Sequence, residues 1–211
     1  MSLNLRGLSR QFDGRDVLRT GDLCFKGPGL LLLKGKNGSG KSTLLKILAT
    51  LLAPTAGDAV FGSDSVVTAQ ARVRTRIGWV GATEKGFFDA LSGRENLRLF
   101  ATLRGLPWPC AEARLTALSF LDLEGALSTR FGAASSGMKQ KLLIVRALLH
   151  EPEILLLDEP ARSLDQESVE ALRVYLVACA TQKLVILASH QREDQQKAHE
   201  IWSLRDGRLA R

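Results

Sequence analysis

Short runs of consecutive apolar residues stand out from the mixed pattern around them: Leu30–Leu33, Ile77–Val80, Ile154–Leu157 and Leu184–Ala188. Each is strand-length and bounded by turn or charged residues, which predicts buried β-strands rather than amphipathic helices. Gly29–Lys34 forms the first of these strands, and Ile201–Leu204 with the Asp206-Gly207 turn closes the chain. Helix-period segments alternate with the strands, which predicts an α/β domain with a mainly parallel sheet and ligand sites at the strands' carboxyl ends. Between Asp89 and Arg130 the pattern changes, with Leu97, Leu103, Leu106, Leu115, Leu118 and Leu121 at mostly helical intervals. This predicts a helical subdomain, about 89–145, inserted in a single domain of 1–211. Ser92 and Glu95 read as a capping box opening its first helix, and Pro107-Trp108-Pro109 must break or end that helix.

Composition narrows the classes. The 211 residues are 45% hydrophobic, enough to bury a core, but the apolar runs fall far short of the roughly 20 residues of a membrane-spanning helix. The first residues, MSLNLRGLSR, lack a secretory signal pattern, so a cytosolic location is expected. Cys24, Cys110 and Cys179 are isolated, which argues against a disulfide framework or zinc site and suggests small buried hydrophobes. The net charge of +7 comes from scattered Lys and Arg with no aromatic-interleaved basic patch, so a solvated surface is favoured over a nucleic-acid site.

Gly35-Lys36-Asn37-Gly38-Ser39-Gly40-Lys41-Ser42 matches the phosphate-loop pattern and lies between a predicted strand and a predicted helix. The glycines let backbone N–H groups converge on phosphate oxygens, and the helix N-terminus adds partial positive charge. Lys41 then meets the β- and γ-phosphates, Ser42 coordinates Mg²⁺, and Thr43 adds a phosphate contact. The Ile154–Leu157 strand delivers Asp158 to the same Mg²⁺, directly or through water, while Glu159 is the candidate general base for the attacking water.

These elements fit many nucleotide triphosphatases; Ser135-Ser136-Gly137-Met138-Lys139-Gln140 discriminates among them. It resembles the LSGGQ signature of ATP-binding cassette (ABC) proteins, in the SSGMKQ form of exporter-type members. Ser135 and Gly137 match, while Ser136 stands for a usual Gly and Met138 for a usual Gln. The resemblance implies a P-loop core with a small N-terminal β region and a helical subdomain. It also implies a site shared between two chains, in which Ser135 and Gly137 meet the γ-phosphate held by the opposite subunit. Ser163-Leu164-Asp165 resembles the D-loop of the dimer interface, and His190 the switch histidine that contacts the γ-phosphate. Phe12 sits where the family places its adenine-stacking aromatic, although a core position in the small lobe is the competing reading. Where the family has a metal-reaching Gln, this chain reads Gly81-Ala82-Thr83-Glu84-Lys85, and Glu84 either substitutes for it or is an exposed loop residue.

The resemblance implies an ATPase using ATP and Mg²⁺, paired with a second cassette subunit, most simply as a homodimer. It further implies a separate transmembrane permease on the cytoplasmic face of the membrane, exporting a drug, lipid, polysaccharide or haem. A soluble cassette ATPase acting on nucleic acid or ribosomes is the alternative. A P-loop kinase or GTPase is disfavoured, because neither explains SSGMKQ and no N-K-x-D motif is present.

Overall fold

The computed structural model describes residues 1–81 and 86–211. In chain order its strands are β1 (Ser2–Phe12), β2 (Arg15–Thr20), β3 (Leu23–Lys26), β4 (Gly29–Lys34), β5 (Ala56–Phe61), β6 (Asp64–Ser65), β7 (Ile77–Val80), β8 (Ile154–Asp158), β9 (Leu184–Ala188), β10 (Glu200–Arg205) and β11 (Arg208–Ala210). Its helices are α1 (Lys41–Leu48), α2 (Gln70–Arg76), α3 (Gly93–Leu103), α4 (Trp108–Ala117), α5 (Glu124–Ser128), α6 (Ser136–Leu148), α7 (Gln166–Cys179) and α8 (Arg192–Lys197). Two compact units emerge: Met1–Ile77, Glu153–Asp158 and Leu176–Arg211 form the first, Gly78–Pro152 and Glu159–Tyr175 the second.

The first unit is built on a mixed sheet ordered β6-β5-β1-β2-β11-β10-β4-β9-β8, with β3 also paired to β1. Its parallel part joins β10, β4, β9 and β8, in agreement with the uninterrupted apolar runs, since strands covered on both faces need no polar alternation. Leu31, Leu32, Ile154, Leu155, Leu156, Val185 and Ile186 are all 0% exposed. Helix α1 covers this part with Leu44, Leu45, Ile47 and Leu48 and packs on β8. The remaining strands are largely antiparallel: β1 pairs with β2, β3 and β5. Asp206 and Gly207 both take positive φ, the geometry of a tight hairpin turn between β10 and β11.

In the second unit, α3 begins at the foreseen capping box: Ser92 Oγ accepts from Glu95 N at 3.2 Å and Glu95 Oε2 accepts from Ser92 N at 2.7 Å. The helix stops at Leu103, and α4 starts after Pro107 with Pro109 in its first turn, where a missing N–H costs nothing. Leu97 is buried, but Leu103 is 73% exposed and lies off the buried face of α3. No helix among the described residues is long and apolar enough to cross a membrane.

The cysteine reading needs correction. Cys24 and Cys110 are exposed and Cys179 only half-buried. In β3 the inward position is taken by Phe25, so the strand's two-residue period turns Cys24 outward.

Removing the Ser92 cap by Ser92→Ala is expected to lower stability by about 1 kcal/mol, read as a shift of the urea midpoint. Hydrogen bonds from the Ser92 backbone and hydroxyl hold the Glu95 carboxyl below its ordinary range. That contribution is present above the unfolded carboxylate range and is lost as pH falls through the lowered value. Glu95→Gln should therefore flatten this part of the acid-side stability profile.

Candidate functional site

Strand β4 ends at Lys34, and the chain must reverse within six residues to start α1 at Lys41. Glycine is required at two points of that turn. A Cβ on Gly35 would lie 2.5 Å from Ser39 Oγ and 2.6 Å from the Leu204 carbonyl oxygen. Gly40, the residue capping α1, has φ 106°, and its Cβ would fall 2.8 Å from the Val17 carbonyl oxygen. No side chain caps α1 and no acid lies in its first turn, so its leading N–H groups and positive dipole end remain available to an anion. Lys41 adds a full charge there: it is 6% exposed, and its Nζ donates to the carbonyls of Gly35 at 2.7 Å and Lys36 at 3.2 Å.

This loop forms one wall of a cleft of about 720 Å³. Lys34 to Ser39 line it together with His190 and the Ser203–Asp206 end of β10. Asn37 and Gly38 are exposed, Ser39 is buried, and Ser42 and Thr43 are half-buried at the start of α1. His190 is exposed just beyond β9. Its neighbour Ser189 is anchored: Ser189 Oγ donates to Asp194 Oδ2 at 2.5 Å and accepts from Gln191 N at 3.1 Å. Both Ser189 and Asp194 are buried, which fixes the turn that carries His190.

Asp158 ends β8, 3% exposed, with its buried Oδ2 lacking a hydrogen-bond partner among the described residues. An orphaned carboxylate oxygen is costly to bury, and a cation satisfies it. Asp158 and the half-buried Ser42 hydroxyl, on the helix that packs against β8, are oxygen donors of the type a small hard cation takes. Phe12 is 41% exposed at the end of β1, so the competing core reading fails. The Arg10 guanidinium covers one side of the ring at 4.5 Å from its centroid.

The second unit holds the remaining candidates. Glu159 is half-buried with φ 50°, and Ser163 has φ 64°, two left-handed non-glycine residues in one short loop. Such conformations cost about 1–3 kcal/mol each and cluster at functional loops. Asp165 caps α7, its Oδ1 accepting from Ser168 N at 2.8 Å and its Oδ2 from Ser168 Oγ at 3.1 Å. Ser168 thereby holds the Asp165 carboxyl below its ordinary range, with the Lys141 ammonium 3.9 Å away adding to the effect. Ser135 caps α6 by accepting from Met138 N at 3.2 Å, while Ser136 is exposed and no acid occupies the first turn. A Cβ on Gly137 would lie 2.9 Å from the Ser163 carbonyl oxygen. Glu84 lies outside the described residues.

Sequence reasoning passed over several supporting residues. Asn96 is fully buried; its Oδ1 accepts from Phe88 N and its Nδ2 donates to the Phe88, Leu91 and Ser92 carbonyls, stapling the segment before α3. Arg146 on α6 faces the rings of Phe87 and Phe100, 4.9 and 5.2 Å from their centroids, and its burial lowers its pKa to about 10. A polar residue on an otherwise helical pattern carries no signal of such a role. The i,i+5 spacing of Ser189 and Asp194 around His190 is equally silent.

Comparison with known proteins gives the family. The sequence model described as "ABC transporter" matches residues 18–162. The chain is 33% identical over 200 residues to the ABC transporter ATP-binding protein NatA of Bacillus subtilis strain 168, covering 92% of this chain and 81% of that protein. It is 35% identical to the doxorubicin resistance ATP-binding protein DrrA of Mycobacterium tuberculosis over 82% of this chain and 53% of that protein. It is 32% identical to the pyoverdine export ATP-binding/permease protein PvdT of Pseudomonas fluorescens over 98% of this chain but 33% of that protein. A solved ATP-binding subunit of an ABC transporter superposes with TM-score 0.87 at 28% identity, covering 99% of this chain and 88% of that one.

Because Gly40 has neither the space nor the φ for a side chain, Gly40→Ala should weaken ATP binding by about ten-fold or more. Equilibrium dialysis with labelled ATP measures this; an unchanged dissociation constant would show that the loop geometry is not what holds the phosphates.

Proposed function

The chain belongs to the ABC transporter family and is an ATPase of that family, and we propose that it powers an exporter by closing, as a homodimer, around two ATP molecules. The observation that carries this reading is the pairing of a buried Lys41 with an uncapped α1 N-terminus, directly after a loop that lines a cleft together with His190. That combination favours a multiply charged phosphate chain over a neutral ligand.

In the proposed mechanism Gly35, Asn37, Gly38, Ser39 and Gly40 wrap the phosphate chain with backbone donors, and Thr43 adds a hydroxyl. Lys41 Nζ engages the β- and γ-phosphate oxygens, and Phe12 stacks on adenine from the ring side that Arg10 leaves free. Mg²⁺, when bound, neutralises charge on the β- and γ-phosphates. Ser42 Oγ and Asp158 Oδ2 are the groups that would hold it, with Glu84 as a further oxygen donor. Glu159 accepts a proton from the water as its oxygen attacks the γ-phosphorus, and His190 donates to a γ-phosphate oxygen. The bond from the γ-phosphorus to the bridging oxygen breaks, leaving ADP and inorganic phosphate.

The γ-phosphate held this way presents one side to Lys41 and leaves the other open. The N-terminus of α6 in a second copy, with Ser135 and Gly137 and no acid in its first turn, supplies complementary donors, and Asp165 lies beside that interface. Contacts made by both copies with ATP are lost in part when the γ-phosphate leaves, which is the differential affinity needed to open the dimer.

The whole chain, 1–211, acts in this reading as one ATPase domain, with about 89–145 as the helical part that faces the transporter. A separate transmembrane permease supplies the pathway, with this subunit peripheral on the cytoplasmic face of the membrane. Relatives named for doxorubicin resistance, pyoverdine export, macrolide export and Nod factor export support export as the direction. The permease, rather than this chain, selects the cargo.

Purified wild-type chain should hydrolyse ATP in the presence of Mg²⁺. Glu159→Gln should lower kcat by about a hundred-fold or more and accumulate as an ATP-dependent dimer on size-exclusion chromatography. Normal turnover by this variant would remove Glu159 from the role of base.

A further inference from the structure

Two residues of the loop that follows β8, Glu159 and Ser163, sit at left-handed φ without being glycine. Such a conformation persists only where surrounding contacts over-determine it. Within the loop, Arg162 N donates to the Glu159 carbonyl at 3.1 Å and Leu164 N to the Ala161 carbonyl at 3.3 Å, a succession of tight turns. The loop's far end is tied by the Asp165 cap on α7.

Its near end is held from outside. Gln140, in the second turn of α6, is 9% exposed, and its Nε2 donates to the Pro160 carbonyl oxygen at 2.9 Å in a buried hydrogen bond. The peptide carbonyl so anchored belongs to the residue directly after Glu159. Two neighbours on the same helix reinforce the contact: Gly137 leaves no room for a Cβ beside the Ser163 carbonyl oxygen, and Lys141 Nζ stands 3.9 Å from Asp165 Oδ2. One face of α6 therefore grips the loop at Pro160, Ser163 and Asp165.

From this geometry we infer that Gln140 is a positioning residue for Glu159: its hydrogen bond to the Pro160 carbonyl sets the backbone that aims the Glu159 carboxylate. The inference rests on the proposed role of Glu159 as base. A buried amide donor is suited to this task because it satisfies a carbonyl that would otherwise be orphaned, without bringing a charge beside the catalytic carboxylate. Gln140 itself touches neither nucleotide nor water in this reading; it acts through the peptide next to Glu159.

The test uses the full-length chain and two substitutions. Gln140→Met keeps the length and volume of the side chain but removes the donor. It should lower kcat about ten-fold while changing ATP affinity less than about two-fold, the latter measured by labelled-ATP binding in a Glu159→Gln background where hydrolysis does not interfere. Gln140→Glu places a carboxyl against the same carbonyl, where only its protonated form donates. Burial raises that group's pKa, and the kcat of this variant relative to wild type should recover as pH falls from about 8 to about 6. The pH arm reads out hydrogen bonding to the carbonyl even if the Met variant folds poorly.

A kcat for Gln140→Met within two-fold of wild type, or a Gln140→Glu ratio that does not respond to pH, overturns the inference. So does a loss of ATP affinity in step with kcat, which would mark general damage to the fold. The two readings fail separately. If Glu159→Gln turns over normally, the assignment of the base falls and Gln140 has nothing to position. If Glu159→Gln is inactive and Gln140→Met is unaffected, only the present inference falls.

Discussion

Lys41 is almost fully buried, and a buried ammonium is tolerated only where acceptors surround it. Here those acceptors are the carbonyls of its own loop, Gly35 and Lys36, and the loop can turn them inward because the backbone bends more tightly than a side chain would allow. The bend in turn depends on two carbonyls from elsewhere in the first unit. Val17 on β2 leaves no room for a Cβ at Gly40, and Leu204 on β10 leaves none at Gly35. One strand from the antiparallel part, β2, and one from the parallel part, β10, thus shape this loop. β2 reaches its place by pairing with β11, which is itself hairpinned to β10.

The N-termini of α1, α3, α6 and α7 contrast in how they are satisfied. α3 opens with a full capping box and an acid in its first turn, and α7 opens under the Asp165 carboxylate, so both ends are electrostatically satisfied from within the chain. α1 has no side-chain cap, and α6 has only the neutral Ser135 hydroxyl. Neither carries an acid in its first turn. Under the proposed mechanism these two open ends approach one γ-phosphate from opposite sides, one in each copy. A carboxylate near either end would compete with the phosphate for the same donors.

Much of this was legible in the chain itself, and the exceptions have physical reasons. Runs such as Ile154–Leu157 and Leu184–Ala188 announce strands because both faces of a central parallel strand are covered. The capping box and the prolines around Trp108 mark helix ends through local chemistry alone. β1 is harder to read: Leu3 and Leu5 alternate as a strand should, but Gly7 turns with positive φ and the register to β5 shifts between Arg6 and Ser9, which breaks the period before Leu8. Phe12 showed only its spacing in the sequence; its exposure and the Arg10 contact come from the fold. Asn96 escaped notice, and Gln140 entered only as part of the signature segment, because a buried amide and a surface amide look alike until the carbonyls they satisfy are in place. The cysteines were misread for a related reason: a thiol is small and nearly indifferent to which face of a strand or helix it takes.

The grip of α6 on the loop from Pro160 to Asp165 bears on how two sites in a dimer would sense one another. On the proposed reading, the start of α6 faces the nucleotide of the second copy, while the loop on its flank carries Glu159 toward the nucleotide of its own. Contacts at Pro160, Ser163 and Asp165 join these parts within the second unit. On that reading, a γ-phosphate drawn against Ser135 in one site would bias the placement of Glu159 in the other. Coupling of this kind needs only one packed element with two arrangements that the ligand distinguishes, and it must act equally in both directions at equilibrium. The strained φ of Glu159 fits such an element, because a residue held off its preferred backbone conformation by contacts alone shifts when those contacts shift.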